Sequence, residues 1–301
     1  LKSRRSRTFL YSFAITLVIL SALLIFLYNS PSEIQVRHLP DNIRRYEAFW
    51  ERYVPSDALL VGFKDFIALR SVNSSLPPNE VLIDMVTPRA TLNSEEVNYI
   101  LTVVLQIPNA TVDIAFVKPS SFTKFEQLFA KEGQFPVNVG DSTLYSVRYR
   151  FRNTLELGWT AIIPDDKAIA FARGTASAKE AITESLRVLQ GDLPSILSRE
   201  DINQMLYIAG DSANHLGLQI QNFPGVVRTG EMTLIAIDAI GGSVQISYVI
   251  KFSNPEIALS QYQTVKSAHL SARQFAIFDS YVEAIEYQSI SSVEEAIKLV
   301  G

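Results

Sequence analysis

Residues Phe9 to Tyr28 contain no charged side chain, and Lys2, Arg4, Arg5 and Arg7 stand directly before them. At a rise of 1.5 Å per residue, about 20 helical residues span roughly 30 Å, the thickness of a bilayer's hydrocarbon core. A cleaved export signal has a shorter apolar core, about 7–15 residues, and ends in a small-x-small site. This run ends instead in Phe26-Leu27-Tyr28-Asn29-Ser30-Pro31. The pattern predicts an uncleaved signal anchor in contact with membrane lipid. The excess of basic residues before it orients the N-terminus to the cytoplasm and the remaining chain to the outside. The expected division is a cytoplasmic basic tail over 1–8, a transmembrane anchor over 9–28, and a stalk with an amphipathic helix over 29–54. Two folded repeats follow, over 55–192 and 193–301.

Charge narrows the function of the exterior part. Without the four leading bases the chain keeps 23 basic residues against its 31 acidic ones, a net charge of about −8. Nucleic acid calls for a concentrated basic surface, so it is not an expected partner. The chain has no cysteine. Disulfides, thiolate catalysis and thiolate metal sites are therefore excluded. A large exported domain without disulfides fits a prokaryotic cell surface.

In the stalk region, Asp41 is placed as a helix cap before Ile43, Tyr46, Phe49, Trp50 and Tyr53, which recur at helical spacing up to Pro55. This aromatic stripe is read as core. Strand-like runs follow. Phe122, Phe125, Leu128 and Phe129 then mark one face of a helix, with Ser120 or Ser121 as its cap and Gly133 at its end. From Tyr145 to Arg152 the alternation is strict, with Tyr145, Val147, Tyr149 and Phe151 inward and Arg148, Arg150 and Arg152 outward. A hairpin is expected around Pro164-Asp165-Asp166, and a helix with a Ser177/Glu180 capping box after it.

In the second half, Ser198 is read as the cap of one helix, and Asn254 with Pro255 as the start of another. Gly241-Gly242 joins two alternating strands, and the stretch from Ala276 to Ile290 reads as one strand. The order strand–helix–strand–helix recurs between the halves. The expected fold class is therefore α+β, an antiparallel sheet in two ferredoxin-like (βαββαβ-type) repeats with helices on one face.

Catalytic chemistry is sparse. His38, His215 and His269 are far apart in sequence, without the spacing that sets two imidazoles on one metal. Gly140-Asp141-Ser142 and Gly210-Asp211-Ser212 read as turns, because a hydrolase serine follows a strand. Ser121 and Lys124 have the spacing of a serine–lysine pair without its companion motifs. Asp165 and Asp166 fall short of a calcium ligand set. No enzyme activity, cofactor or metal is expected.

The pointed feature is the alternating set Arg148, Arg150 and Arg152, with Arg173 near it, a positive ridge for an anion or a partner contact. Asn73 and Asn109 head Asn-x-Ser/Thr sequons and are candidate N-glycosylation acceptors. The expected role is a non-enzymatic, single-pass surface protein, an accessory or scaffold subunit with protein partners in a membrane or cell-envelope assembly. The alternative is a surface module that binds an anionic ligand or glycan.

Overall fold

The computed structural model describes residues 50–72, 81–151, 154–210, 215–223, 227–240 and 242–300. The basic tail, the expected anchor at 9–28, most of the stalk, His38, Asn73, Arg152 and Ser212 lie outside the described residues. Among the described residues no helix is long and apolar enough to cross a membrane.

The chain forms a mixed α+β structure dominated by one large antiparallel sheet. In the first half run β1 (Leu60–Asp65), β2 (Val81–Thr87), β3 (Arg89–Asn93), β4 (Val97–Ile107), β5 (Ala110–Pro119), β6 (Gln134–Val139), β7 (Ser142–Phe151), β8 (Thr154–Ile163) and β9 (Ala168–Arg173). The second half supplies β10 (His215–Gln221), β11 (Met232–Ile240), β12 (Ser243–Lys251), β13 (Gln274–Phe278) and β14 (Tyr281–Ser289). Across the sheet the order is β13-β14-β12-β11-β10-β1-β4-β5-β9-β8-β7-β2-β3, with β6 also paired to β7. The halves meet in the middle, where β1 pairs antiparallel with both β10 and β4.

The helices are α1 (Phe66–Val72), α2 (Phe122–Glu132), α3 (Ala176–Leu189), α4 (Glu200–Ala209), α5 (Pro255–Ala268) and α6 (Val293–Ile297). Their buried faces follow the expected periodicity. In α2 the phenylalanines 122, 125 and 129 turn inward, and in α5 Asn254 caps the first turn by accepting from the Ile257 N–H at 2.9 Å. Three caps differ from expectation. The side chain of Ser121 makes no capping hydrogen bond, the N-cap of α3 is Thr175 rather than Ser177, and that of α4 is Arg199 rather than Ser198.

Helices cover both faces of the sheet, not the one face expected. Phe122, Phe125 and Phe129 of α2 share a buried cluster with Val117, Ile162, Ile169 and Phe171, and α1 and α6 add Phe66, Leu69, Val293 and Ala296 to it. Successive strand residues point to opposite faces. Ile114, Phe116, Ala170 and Ala172 are therefore turned to the other side, and they are buried too. There α3 packs over β4, β5, β8 and β9, and α4 over β11, β12 and β14. Burial on both faces explains why β9 and β10 read as near-continuous buried runs.

The strand order also differs from a full βαββαβ unit. In each half a strand, a helix and a later hairpin make a split β-α-β arrangement: β5, α2, β8 and β9 in one, β12, α5, β13 and β14 in the other. The place beside β5 and β12 is taken by the preceding strands β4 and β11, not by a strand after a second helix. Short connections set those neighbours beside them: Pro108-Asn109 joins β4 to β5, and β11 ends at Ile240 with β12 starting at Ser243.

Candidate functional site: a basic and apolar face on the β7–β8 hairpin

Strands β7 and β8 pair so that Arg148 lies opposite Leu157 and Arg150 opposite Leu155. Opposed residues share a face, so all four side chains lie on one side of the hairpin. Tyr149 fixes which side. Its ring is buried, and its hydroxyl donates to the Trp159 carbonyl at 3.1 Å and shares a hydrogen bond with Thr160 Oγ1 at 2.8 Å. Burial holds the Tyr149 hydroxyl protonated far above the ordinary tyrosine range. With Tyr149 and Val147 turned into the core, the arginines must face away from it. Leu155 is 62% exposed and Leu157 50% exposed. Two leucines this open, each beside an arginine, make a mixed apolar and basic patch on a chain of net negative charge.

Of the expected ridge, Arg148 and Arg150 stand together and Arg152 lies outside the described residues. Arg173 does not join them. It pairs with Gly158 on the opposite face, and its guanidinium lies over the Phe151 ring, 4.1 Å from the centroid. Arg150 comes within 3.9 Å of the Asp84 carboxylate, an exposed pair of small energetic weight.

A second cluster of charge sits where α4 meets β12. Arg199 grips Asp201 with two hydrogen bonds, of 3.1 and 2.8 Å, and Lys251 donates to the same carboxylate at 2.9 Å. These residues border an open hollow of about 740 Å³ that Phe278, Ser280 and Tyr281 complete. Both cations are engaged by Asp201, so the cluster clamps α4 onto the sheet. Burial alone raises the Asp201 pKa, but the hydrogen bonds from Arg199 and Lys251 outweigh it and hold the carboxyl at about 2. An unfolded aspartate titrates near 3.9. The depressed folded value therefore contributes stability in full above about pH 4, lost as pH falls toward 2. Asp201→Asn is expected to remove that part of the acid sensitivity, read as a flatter urea midpoint between about pH 4 and pH 2.

The remaining sequence candidates are structural. His215 is buried, with Nδ1 against the fully buried carboxylate of Asp238 on the neighbouring strand. Sequence spacing gave no hint of this pairing. The available signal was Asp238 itself, a charge inside the apolar run from Leu234 to Ile240. His269 closes α5 and packs its ring on Tyr248, 4.4 Å between centroids, and burial lowers its pKa. Ser142 opens β7 and borders a cavity of about 170 Å³. Lys124, the partner suggested for Ser121, pairs with Glu96 at 3.5 Å. Asp166 accepts hydrogen bonds from Arg52 and Tyr53. Among the described residues no group of three His, Asp or Glu side chains is placed to hold a metal ion. Asn109 is exposed at the tip of the β4–β5 turn, with φ of 69°.

No family model matches the chain, and no curated protein matches it. Among solved structures it is similar to crystal form I of TP0453, with a TM-score of 0.49 and 9% identity over 83% of this chain and 97% of that one. Crystal form III of TP0453 gives the same TM-score and identity over 82% and 96%. Likeness at this level carries no argument about function.

Proposed function

We propose that this chain is a non-enzymatic, single-pass, membrane-anchored surface protein that works by contact. It is an accessory or scaffold subunit of a membrane or cell-envelope assembly, and its partners dock on the β7–β8 hairpin face. The observation that carries the proposal is the exposure of Leu155 and Leu157 beside Arg148 and Arg150 on one face. Arginine is enriched at protein interfaces, and exposed apolar area rimmed by charge is the usual mark of one. The charge-free run at 9–28, with its preceding bases, supports the anchor and a folded part outside the cytoplasm. The recurring split β-α-β arrangement supports a duplicated unit.

The same arginines support a second reading, capture of an anionic ligand or glycan. What supports it is that Arg148 and Arg150 face outward together on one side of the hairpin, two guanidiniums able to hold one anionic group.

Two sets of substitutions separate the readings. Leu155→Ser with Leu157→Ser, and Arg148→Glu with Arg150→Glu, are each expected to release the partners when the protein is extracted gently from its membrane. Folding stability should stay within about 0.5 kcal/mol, because the sites are exposed. Loss of binding on charge reversal alone, with the serine pair unaffected, would support the anionic ligand. Full retention of partners in both variants would overturn docking at this face.

A further inference from the structure

The sheet has three strands with an open side among the described residues, and they are finished differently. β3 exposes Arg89 and Thr91, and its neighbour β2 is bulged between Val81 and Ile83. β6 carries Pro136, and its pairing to β7 slips between Gln134 and Val137. Charge, proline and bulges are the devices that stop an edge from pairing with another chain. Within its five residues β13 has none of them, and only at its entry does the Arg273 N–H also turn in, to the Ile285 carbonyl at 2.8 Å. It reads Gln274-Phe275-Ala276-Ile277-Phe278, pairs regularly with β14 and holds the end of the sheet. Ile277 is 37% exposed and Phe278 42% exposed.

The unpaired groups can be assigned. The Phe252 N–H donates to the Ser280 carbonyl at 2.8 Å, so even-numbered residues of this stretch direct their main-chain groups to β12. Alternation then turns Tyr281, Glu283 and Ile285 to Phe278, Ala276 and Gln274. The N–H and C=O groups of Phe275 and Ile277 are left facing outward.

We propose that two copies of this chain pair through β13, antiparallel and centred on Ala276, so that their two sheets run on as one. This register is self-complementary. Phe275 of each copy lies opposite Ile277 of the other, the two residues whose main-chain groups face outward, and they exchange about four hydrogen bonds across the twofold axis. Gln274 lies opposite Phe278, and Ala276 opposite itself. One step further out, Arg273 of each copy comes alongside Asp279 of the other, so the ends of the contact match in charge twice. Phe275 is already held by Tyr262 of α5, at 6.3 Å between ring centroids, so the apolar face of the edge is ordered before a second copy arrives.

The contact is short, so a covalent trap reads it best. The chain has no cysteine, and Ala276→Cys therefore carries a single thiol. At the centre of the pairing the two Cα atoms face each other across a non-hydrogen-bonded position, about 4.5 Å apart, within disulfide reach. Copper-catalysed air oxidation of the full chain in its own membrane is expected to give a disulfide-linked dimer. With Gln274→Cys the same atoms are roughly 13 Å apart, and the chain should remain uncrosslinked. No dimer at position 276, or equal dimer at both positions, would overturn the pairing. Adding Arg273→Asp to the Ala276→Cys chain is expected to cut crosslinking about tenfold, and adding Asp279→Arg as well to restore it. A double variant that stays as weak as the single one would overturn this register.

Discussion

Gly158→Val is expected to unfold the first half of the sheet. A β-carbon at this position would stand 2.3 Å from the Tyr149 ring and 2.5 Å from the Ala172 carbonyl oxygen, closer than real contacts allow. Neither neighbour is free to retreat. The carbonyl belongs to β9, which pairs with β8 through Gly158 opposite Arg173. The Tyr149 ring crosses the glycine to reach Trp159 and Thr160, and Phe171 meets it edge-on at 6.4 Å. Moving the ring would leave its buried hydroxyl unpaired. Overpacking together with a lost buried hydrogen bond costs about 3 kcal/mol or more. A glycine in open space makes the comparison. Gly191 has nothing within 4 Å of a β-carbon, and only its φ of 77° opposes substitution. Gly191→Ala should cost about 1 kcal/mol. Urea midpoints of the two variants check this. An unchanged midpoint for Gly158→Val would mean that the Tyr149 ring does not lie across position 158.

The second large effect is expected where the chain enters the sheet. Trp50 is fully buried and Tyr53 nearly so, with the Tyr53 ring stacked on Phe116 at 4.7 Å between centroids. Burial, reinforced by the adjoining Asp166 carboxylate, pushes the Tyr53 hydroxyl far above the ordinary tyrosine range, so it stays protonated and donates to Asp166. Arg52 grips the same carboxylate in the β8–β9 turn. Residues 50–54 are thus part of the core rather than a loose leash. Trp50→Ala is expected to cost about 3–5 kcal/mol. A chain cut to begin at Pro55 should fail to fold, and one cut to begin at Pro40 should melt cooperatively. Thermal denaturation of the two fragments checks this. Equal stability would show that the helical residues 50–53 add nothing to the core.

Local patterns carried much of the fold. The phenylalanine spacing of α2, the Asn254-Pro255 start of α5, the alternation in β7 and the β11–β12 hairpin were all readable from the chain, because each is set by residues within a few positions. Trp50 and Tyr53 of the aromatic stripe were rightly read as core. The Asp279-Ser280 turn was missed. It breaks the stretch from Ala276 to Ile290 into β13 and β14, with Asp279 at φ of 53°. Aspartate followed by serine is a turn signal, but the apolar alternation on both sides hid it. Long-range pairings were not legible. Nothing near Val61 tells that β1 joins the halves, and nothing near Asp238 tells that His215 will face it. At the candidate site, the outward arginines followed from period-two alternation, whereas the leucines completing the patch are set by the register of β8. In that register the Tyr149 ring lies across Gly158.

The most direct test of the proposed docking at the hairpin is the native mass and composition of the full-length protein, extracted gently from the membrane in which we propose it is anchored, with and without Arg148→Glu and Arg150→Glu. The account predicts a discrete particle with stoichiometric protein partners for the unaltered chain, and loss of those partners from the charge-reversed one. A particle containing only this chain in both cases would contradict it.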